Sequence, residues 1–380
     1  MKSKAAVLRE FGQPLSIEEV EVEAPKSGEV LVKNAYSGFC HSDFSVIKGD
    51  IPLPLPMICG HEAAGVVEEV GPGVTKVKKG DHVVATWMIP CGQCPNCLRG
   101  RGNICSTNMA YFMTGTLLDG TPRFKDAQGQ PVLHEAFVAG FTQYTVLPEA
   151  GTIPLPSDFP LDQACSMGCC VPTGWGSVAN VANVQPGQSV AVYGMGAVGL
   201  NTVRALSHRN ASPIIAVDLE GNKVDIAREF GATHFIDSST EDPVPAIMTL
   251  TGGVQAEDGS WVSGGADFVF EVSGDPGALV QAYWSMIPGG KTIVTGIPPA
   301  DSASELPMML LALQERSIIG HLYGSISPGL DIPALVDIAQ TGEMKLDKLI
   351  EKKFKIEDIN ETIDAMEKRQ IKGRWIIEWD

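Results

Sequence analysis

The 380-residue chain is 44% apolar and 19% charged, enough apolar material for a sizeable core spread over about two to three domains. Its formal charge of −17 excludes a nucleic-acid or anionic-membrane surface, both of which require clustered Lys and Arg. The opening M-K-S-K-A-A-V-L-R-E lacks the apolar core of a signal peptide, and no run reaches the roughly 18 uncharged apolar residues of a membrane span. A soluble, cytoplasmic protein is expected. Nine cysteines, four of them within fifteen residues, then point to metal ligation rather than a disulfide framework.

From Lys4 to about Val84, short β-like runs at 29–33, 63–70 and 82–85 alternate with the turn sequences G-P-G and K-G-D. This half is expected to be all-β, with no long helical period. It holds C-H-S-D at 40–43 and G-H-E at 60–62, two patches of metal-ligand side chains. Next comes Cys91-x2-Cys94-x2-Cys97-x7-Cys105, set among Gly, Pro, Asn and Arg. Four thiolates on one tight loop match a closed tetrahedral zinc site, which staples a loop and does no chemistry. Residues 106–150 are expected to be irregular. After Gly174 strands alternate with helices: strands at 189–193, 214–218, 233–236, 267–272, 291–295 and 317–320, helices at 197–208 and 222–230. Residues 252–265, bracketed by glycines, are expected to form an inserted loop or hairpin. Helices at 331–340 and 357–369 precede the strand-like R-W-I-I-E-W.

The strand 189–193 runs into Gly194-x-Gly196-x-x-Gly199, which opens a helix. The first glycine permits the turn, the second lets backbone approach a pyrophosphate, and the third allows close helix–strand packing. The helix N-terminus favours the anion. Asp218, nineteen residues past Gly199, closes the next strand, where a carboxylate accepts from ribose hydroxyls and repels a 2′-phosphate. NAD is therefore expected over NADP.

A second, open zinc site needs three protein ligands and a free position. Cys40 and His61 offer two, and the S-M-G-C-C-V-P-T-G-W-G stretch offers a third. Taken in order, C-H-S-D, G-H-E, the four-cysteine run, G-C-C-V-P-T-G-W-G and G-M-G-A-V-G resemble the zinc-dependent medium-chain alcohol dehydrogenases over nearly the whole chain. The S-G-F-C-H-S-D-F and G-D-I-P stretches are most similar to the liver-like and nicotinoprotein branches.

The resemblance implies an α/β protein. A GroES-like β-rich catalytic domain would span 1–170, completed by 323–380, and a doubly wound, parallel Rossmann domain would span 171–322. It implies two zinc ions per chain and NAD. Cys40, His61 and Cys169 would hold the catalytic zinc, and Cys91, Cys94, Cys97 and Cys105 the structural one. Asp43 would orient the His61 ring, Glu62 would lie behind the metal, and Ser42 would take the substrate proton. His41, Thr173, Asp218, Lys223 and Arg374 would contact the coenzyme, together with Gly194, Met195, Gly196, Ala197, Val198 and Gly199. Arg374 could grip the pyrophosphate bidentately. Trp87 falls at an aromatic pocket wall.

Two positions depart from the family. Ser45 stands where the liver-type proton relay has a histidine, and Cys170 stands where a glycine is usual. Adjacent side chains diverge, and a fourth thiolate would close the site, so Cys169 rather than Cys170 is expected as ligand. The implied partner is a small primary alcohol or aldehyde, aryl or medium-chain, with the chain itself a homo-oligomer (dimer or tetramer). Two alternatives stand beside this: a nicotinoprotein that keeps NAD bound and uses a separate electron acceptor, and a catalytically silent zinc- and nucleotide-binding sensor. A glutathione-linked enzyme fits less well, because Ser106–Met113 lacks the arginine that branch uses.

Overall fold

The short strands of the first part of the chain build two sheets, as their β-branched residues and frequent turns dictate. The computed structural model describes all residues from 1 to 380. One unit comprises Met1–Pro172, Ser327–Gly342 and Leu346–Asp380. In it Lys2–Leu8, Ser16–Val22, Phe124–Lys125, Pro131–His134 and Met57–Ile58 close a small barrel. A seven-stranded sheet centres on Glu29–Gly38, flanked by Glu62–Val70 and by Arg374–Glu378. The last strand runs antiparallel to it with Ile376 opposite Gly38, and Ile376 and Ile377 are fully buried.

The other unit is Thr173–Ile326 with Glu343–Lys345. Its six strands are all parallel. Their order across the sheet is His234–Asp237, Ile214–Asp218, Val190–Tyr193, Ala266–Glu271, Met286–Val294 and Ser317–Gly320. Numbered along the chain, this is 3-2-1-4-5-6, the doubly wound dinucleotide topology. Val190–Tyr193 lies at its centre with every residue buried, which explains its unbroken apolar run. The helix Ala197–His208 follows directly. No helix in the chain is long and apolar enough to cross a membrane.

Two stretches differ from expectation, while 252–265 keeps to it. C-H-S-D opens a helix, His41–Lys48, ended by Gly49 in the left-handed region at φ 89°. Residues 106–150 are not irregular: they hold the helix Ser106–Thr114 and the strands Phe124–Lys125, Pro131–His134 and Tyr144–Pro148. The helix begins on Cys105, whose sulfur accepts from Asn108 N–H in place of a hydroxyl or carboxylate cap, and the strands are too short to show a period. Residues 252–265 form a small hairpin pinned by a bridge between Gln255 and Trp261.

Within this formerly featureless stretch lies the largest fully buried side chain, Arg123. Its guanidinium reaches both carboxylate oxygens of Glu29, Asp119 Oδ2 at 2.8 Å and Thr121 Oγ1 at 2.6 Å. The D-G-T-P-R turn thus folds around its own cation and ties it to the start of the central strand. Arg123→Ala leaves Glu29 buried without a counter-charge and should lower unfolding free energy by about 3–5 kcal/mol in urea denaturation followed by circular dichroism. A loss below about 1 kcal/mol would show that the network is only a solvated surface pair.

Candidate metal and dinucleotide sites

The helix His41–Lys48 starts one residue after Cys40, and its third residue, Asp43, reaches back to that turn. Asp43 Oδ2 accepts from Cys40 N–H at 2.7 Å, as a capping-box side chain does. Its other oxygen lies 2.6 Å from His61 Nδ1. That bond places the ring proton on Nδ1 and leaves the Nε2 lone pair for a metal. Cys40 Sγ, a His61 ring nitrogen, a Glu62 oxygen and Cys169 Sγ lie within 4.8 Å of one another. Ser42 Oγ stands 3.2 Å from Cys40 Sγ and 3.3 Å from His61 Nε2. Cys169 sits between the turn Cys165–Gly168 and the helix Cys170–Gly176. Its neighbour Cys170 turns away, fully buried, with its sulfur toward Ser166 O and its N–H on Glu62 Oε1 at 3.1 Å.

Behind this group Glu62 is fully buried, and burial pushes its carboxyl up to about 7 against the pull of Arg374. Arg374 is equally enclosed: it donates to Glu62 Oε1 at 2.9 Å and to Phe39 O at 2.6 Å, leaving only Nε without a partner. The expectation of a guanidinium free to grip pyrophosphate meets one already committed to a buried carboxylate. Glu135 is a residue the sequence did not flag. Its Oε2 accepts from Gly60 N–H at 2.8 Å and its Oε1 lies 3.4 Å from His61 Nδ1.

The second cluster is made of sulfur alone. Cys91, Cys94, Cys97 and Cys105 lie within 4.8 Å of one another, and all nine cysteines of the chain are free. A tetrahedral zinc with Zn–S near 2.3 Å has sulfur–sulfur edges of about 3.8 Å. The pairs Cys91–Cys97 at 4.0 Å and Cys94–Cys105 at 3.8 Å fit those edges. Donors aim at the sulfurs: Thr107 and the N–H groups of Gln93 and Cys94 pull Cys91 down to about 6. Four thiolates this close repel one another unless a cation is between them. The donor set therefore suits zinc in both places, closed with four sulfurs here and open with Cys₂His there.

In the other unit the glycine loop follows its strand as expected. Gly194 adopts φ 101°, and a Cβ on Gly199 would stand 1.8 Å from Gly194 O, so no other residue fits there. A Cβ on Gly196 would meet nothing within 4 Å: its backbone faces open space that a pyrophosphate can occupy. Met195 and Ala197 are buried, and Val198 is half-buried. Asp218 Oδ2 accepts from Met195 N–H at 2.6 Å and from Lys223 Nζ at 3.1 Å, so the carboxylate and the loop are one assembly. Thr173 is buried, whereas His41 is exposed with its ring edge-on to Phe44.

Near the open cluster Ala85 O lies 2.9 Å from where a Cβ on Gly168 would be, one residue before Cys169. Two residues further on, Trp87 packs against Phe112 at 6.0 Å between ring centroids.

Residues 26–157 match the family model of the alcohol dehydrogenase GroES-like domain, and residues 197–341 match that of the zinc-binding dehydrogenases. The chain is 38% identical to S-(hydroxymethyl)glutathione dehydrogenase of Paracoccus denitrificans, covering 96% of this chain and 97% of that one. It is 36% identical to the NDMA-dependent alcohol dehydrogenase of Amycolatopsis methanolica over 98% of each. The structure of benzyl alcohol dehydrogenase from Acinetobacter calcoaceticus superposes over the whole of both chains with a TM-score of 0.89 at 32% identity. With both metal clusters and the glycine loop in place, the chain belongs to the zinc-dependent medium-chain alcohol dehydrogenases, oxidoreductases that use NAD to interconvert alcohols and aldehydes.

Proposed function

We propose that the chain acts on hydrophobic primary alcohols and their aldehydes, aryl or medium-chain, at a zinc held by Cys40, His61 and Cys169. The observation that carries this reading is the three-ligand group with the Ser42 hydroxyl beside it, 3.2 and 3.3 Å from two of the ligand atoms. When bound, zinc supplies Lewis acidity at the alcohol oxygen and NAD the hydride acceptor. The chain's own residues do the rest. Cys40 and Cys169 as thiolates match the charge of a divalent cation, and Asp43 fixes the ring of His61. Ser42 Oγ holds the proton that leaves the substrate hydroxyl. Glu62 and Arg374 form a paired charge behind the ligands, keeping the field there close to neutral.

Trp87 and Phe112 favour an apolar substrate, as does the helix Ser106–Thr114, S-T-N-M-A-Y-F-M-T, which offers no cation to a glutathione carboxylate. Asp218 and Lys223 would bracket the adenosine ribose. The similarity to the NDMA-dependent enzyme favours a second reading, in which NAD stays bound through the catalytic cycle. A homo-oligomer in the cytoplasm completes the proposal. Met308, Met309 and Leu313 are 77%, 68% and 72% exposed on a short helix that precedes the edge strand Ser317–Gly320, an apolar surface suited to a second copy.

Elemental analysis should find two zinc ions per chain. Cys169→Ala should keep one and lose turnover, while Cys170→Ala should keep both and most activity; the reverse pattern would exchange their roles. Coenzyme kinetics should show a preference for NAD, which Asp218→Ala relaxes toward NADP. Equal use of both coenzymes by the parent would contradict the ribose assignment. An alcohol screen should give benzyl or medium-chain alcohols a higher kcat/KM than S-(hydroxymethyl)glutathione. Nucleotide released on denaturing the purified protein would decide for the second reading.

A further inference from the structure

The loop that follows Pro131–His134 is held in an unusual shape. Ala136, Phe137 and Ala139 have φ of 52°, 65° and 48°, the left-handed region that few residues other than Gly, Asn and Asp adopt. Three such residues in a stretch of four persist only where surrounding contacts fix them. Here the contacts are hydrogen bonds. His134 Nδ1 lies 3.3 Å from Phe137 O, Thr145 Oγ1 donates to Val138 O at 2.6 Å, and Ser37 Oγ donates to Gly140 O at 2.6 Å. The loop in turn grips a single residue of another segment. Glu135 Oε2 accepts from Gly60 N–H at 2.8 Å, and Gly140 N–H donates to Gly60 O at 2.7 Å. The residue before His61 is thus bonded at both its polar groups by this one loop, and a Cβ on it would stand 2.5 Å from the Phe141 ring.

Glu135 itself is buried, and neither lysine nor arginine pairs with it. Its ionic partner is the His61 ring: Oε1 lies 3.4 Å from Nδ1, the nitrogen that Asp43 already holds at 2.6 Å. At 3.4 Å the contact is longer than a good hydrogen bond, so the glutamate acts on that edge of the ring by its charge. Two buried carboxylates beside one neutral ring are unfavourable unless a cation is near. A ring that carries a metal on its opposite nitrogen is such a partner, because its Nδ1–H becomes a stronger donor.

We propose that Glu135 is a positioning residue for the metal ligand His61: it fixes the peptide before the ligand, adds a second negative charge at the Nδ1 edge, and so raises the zinc affinity of the open site. The inference rests on the zinc site proposed above at Cys40, His61 and Cys169. It is tested by equilibrating zinc-loaded protein against graded chelator-buffered zinc and counting zinc per chain, with the four-sulfur site as internal control. Glu135→Gln keeps the side chain's shape and an oxygen for Gly60 N–H but removes the charge. It should weaken the open site about tenfold, and Glu135→Ala up to about a hundredfold, while the four-sulfur site keeps its zinc. In zinc-loaded protein labelled at histidine, the ring N–H proton of His61 should move upfield by NMR in Glu135→Gln. Open-site affinity or a ring proton left unchanged in that variant would overturn the proposal by reducing Glu135 to a structural support. Equal loss of zinc from both sites would overturn it too, since the fold rather than the ligand would have been disturbed. Parent protein that never holds a second zinc would overturn the site at Cys40, His61 and Cys169 itself, and this inference with it.

Discussion

The geometry of the open Cys–His group is set by one buried carboxylate. Asp43 has two oxygens and two tasks: one holds the backbone N–H of Cys40, the other the Nδ1 of His61. A sulfur ligand and a nitrogen ligand from separate strands of sequence are thereby set against a common, fully enclosed anchor. An anchor of this kind lowers the conformational freedom lost when a metal binds, because both donors are already aimed. Glu135 repeats the device one residue upstream of His61 by holding Gly60, whose φ of 95° lets the chain turn into the site.

Such anchoring places several charges out of water, and buried ions cost more than their mutual attraction returns unless each is fully paired. Glu62, Arg374, Asp43 and Glu135 all lie within this one unit and are all buried. Arg374 is matched to Glu62, but Glu62 Oε2 and Arg374 Nε remain unpaired. A cation held beside Glu62 would compensate part of that imbalance. The unit is therefore built for its metal as much as the metal is built into it.

How much of this could be read in advance follows from the range of each constraint. Zinc with four sulfurs and a loop around pyrophosphate impose fixed spacings on consecutive residues, so the C-x2-C-x2-C-x7-C run and Gly194 to Gly199 were legible, as was the alternation of strands and helices after Gly174. Arg123, Glu135 and the partners of Arg374 were not. They meet their partners only through strand register: Ile58 lies opposite His134 in a parallel pair, which carries Glu135 to Gly60, and Ile376 lies opposite Gly38, which carries Arg374 to Phe39 and Glu62. No local pattern encodes that pairing. The helix at 41–48 carries no sequence signal at its start, because a cysteine precedes it where a serine or aspartate would normally cap it.

The position of the strand Arg374–Glu378 has a consequence for the order of synthesis. Arg374 bonds Phe39 O across 335 residues of chain and Glu62 across 312. On a ribosome, the first 172 residues emerge with both cysteine-rich clusters already made, yet with a buried carboxylate awaiting its cation and an open edge on Glu29–Gly38. The whole dinucleotide unit has to be translated before that edge can be filled. Such a nascent chain is exposed to mispairing for much of its synthesis, and its first unit settles only when the last strand arrives.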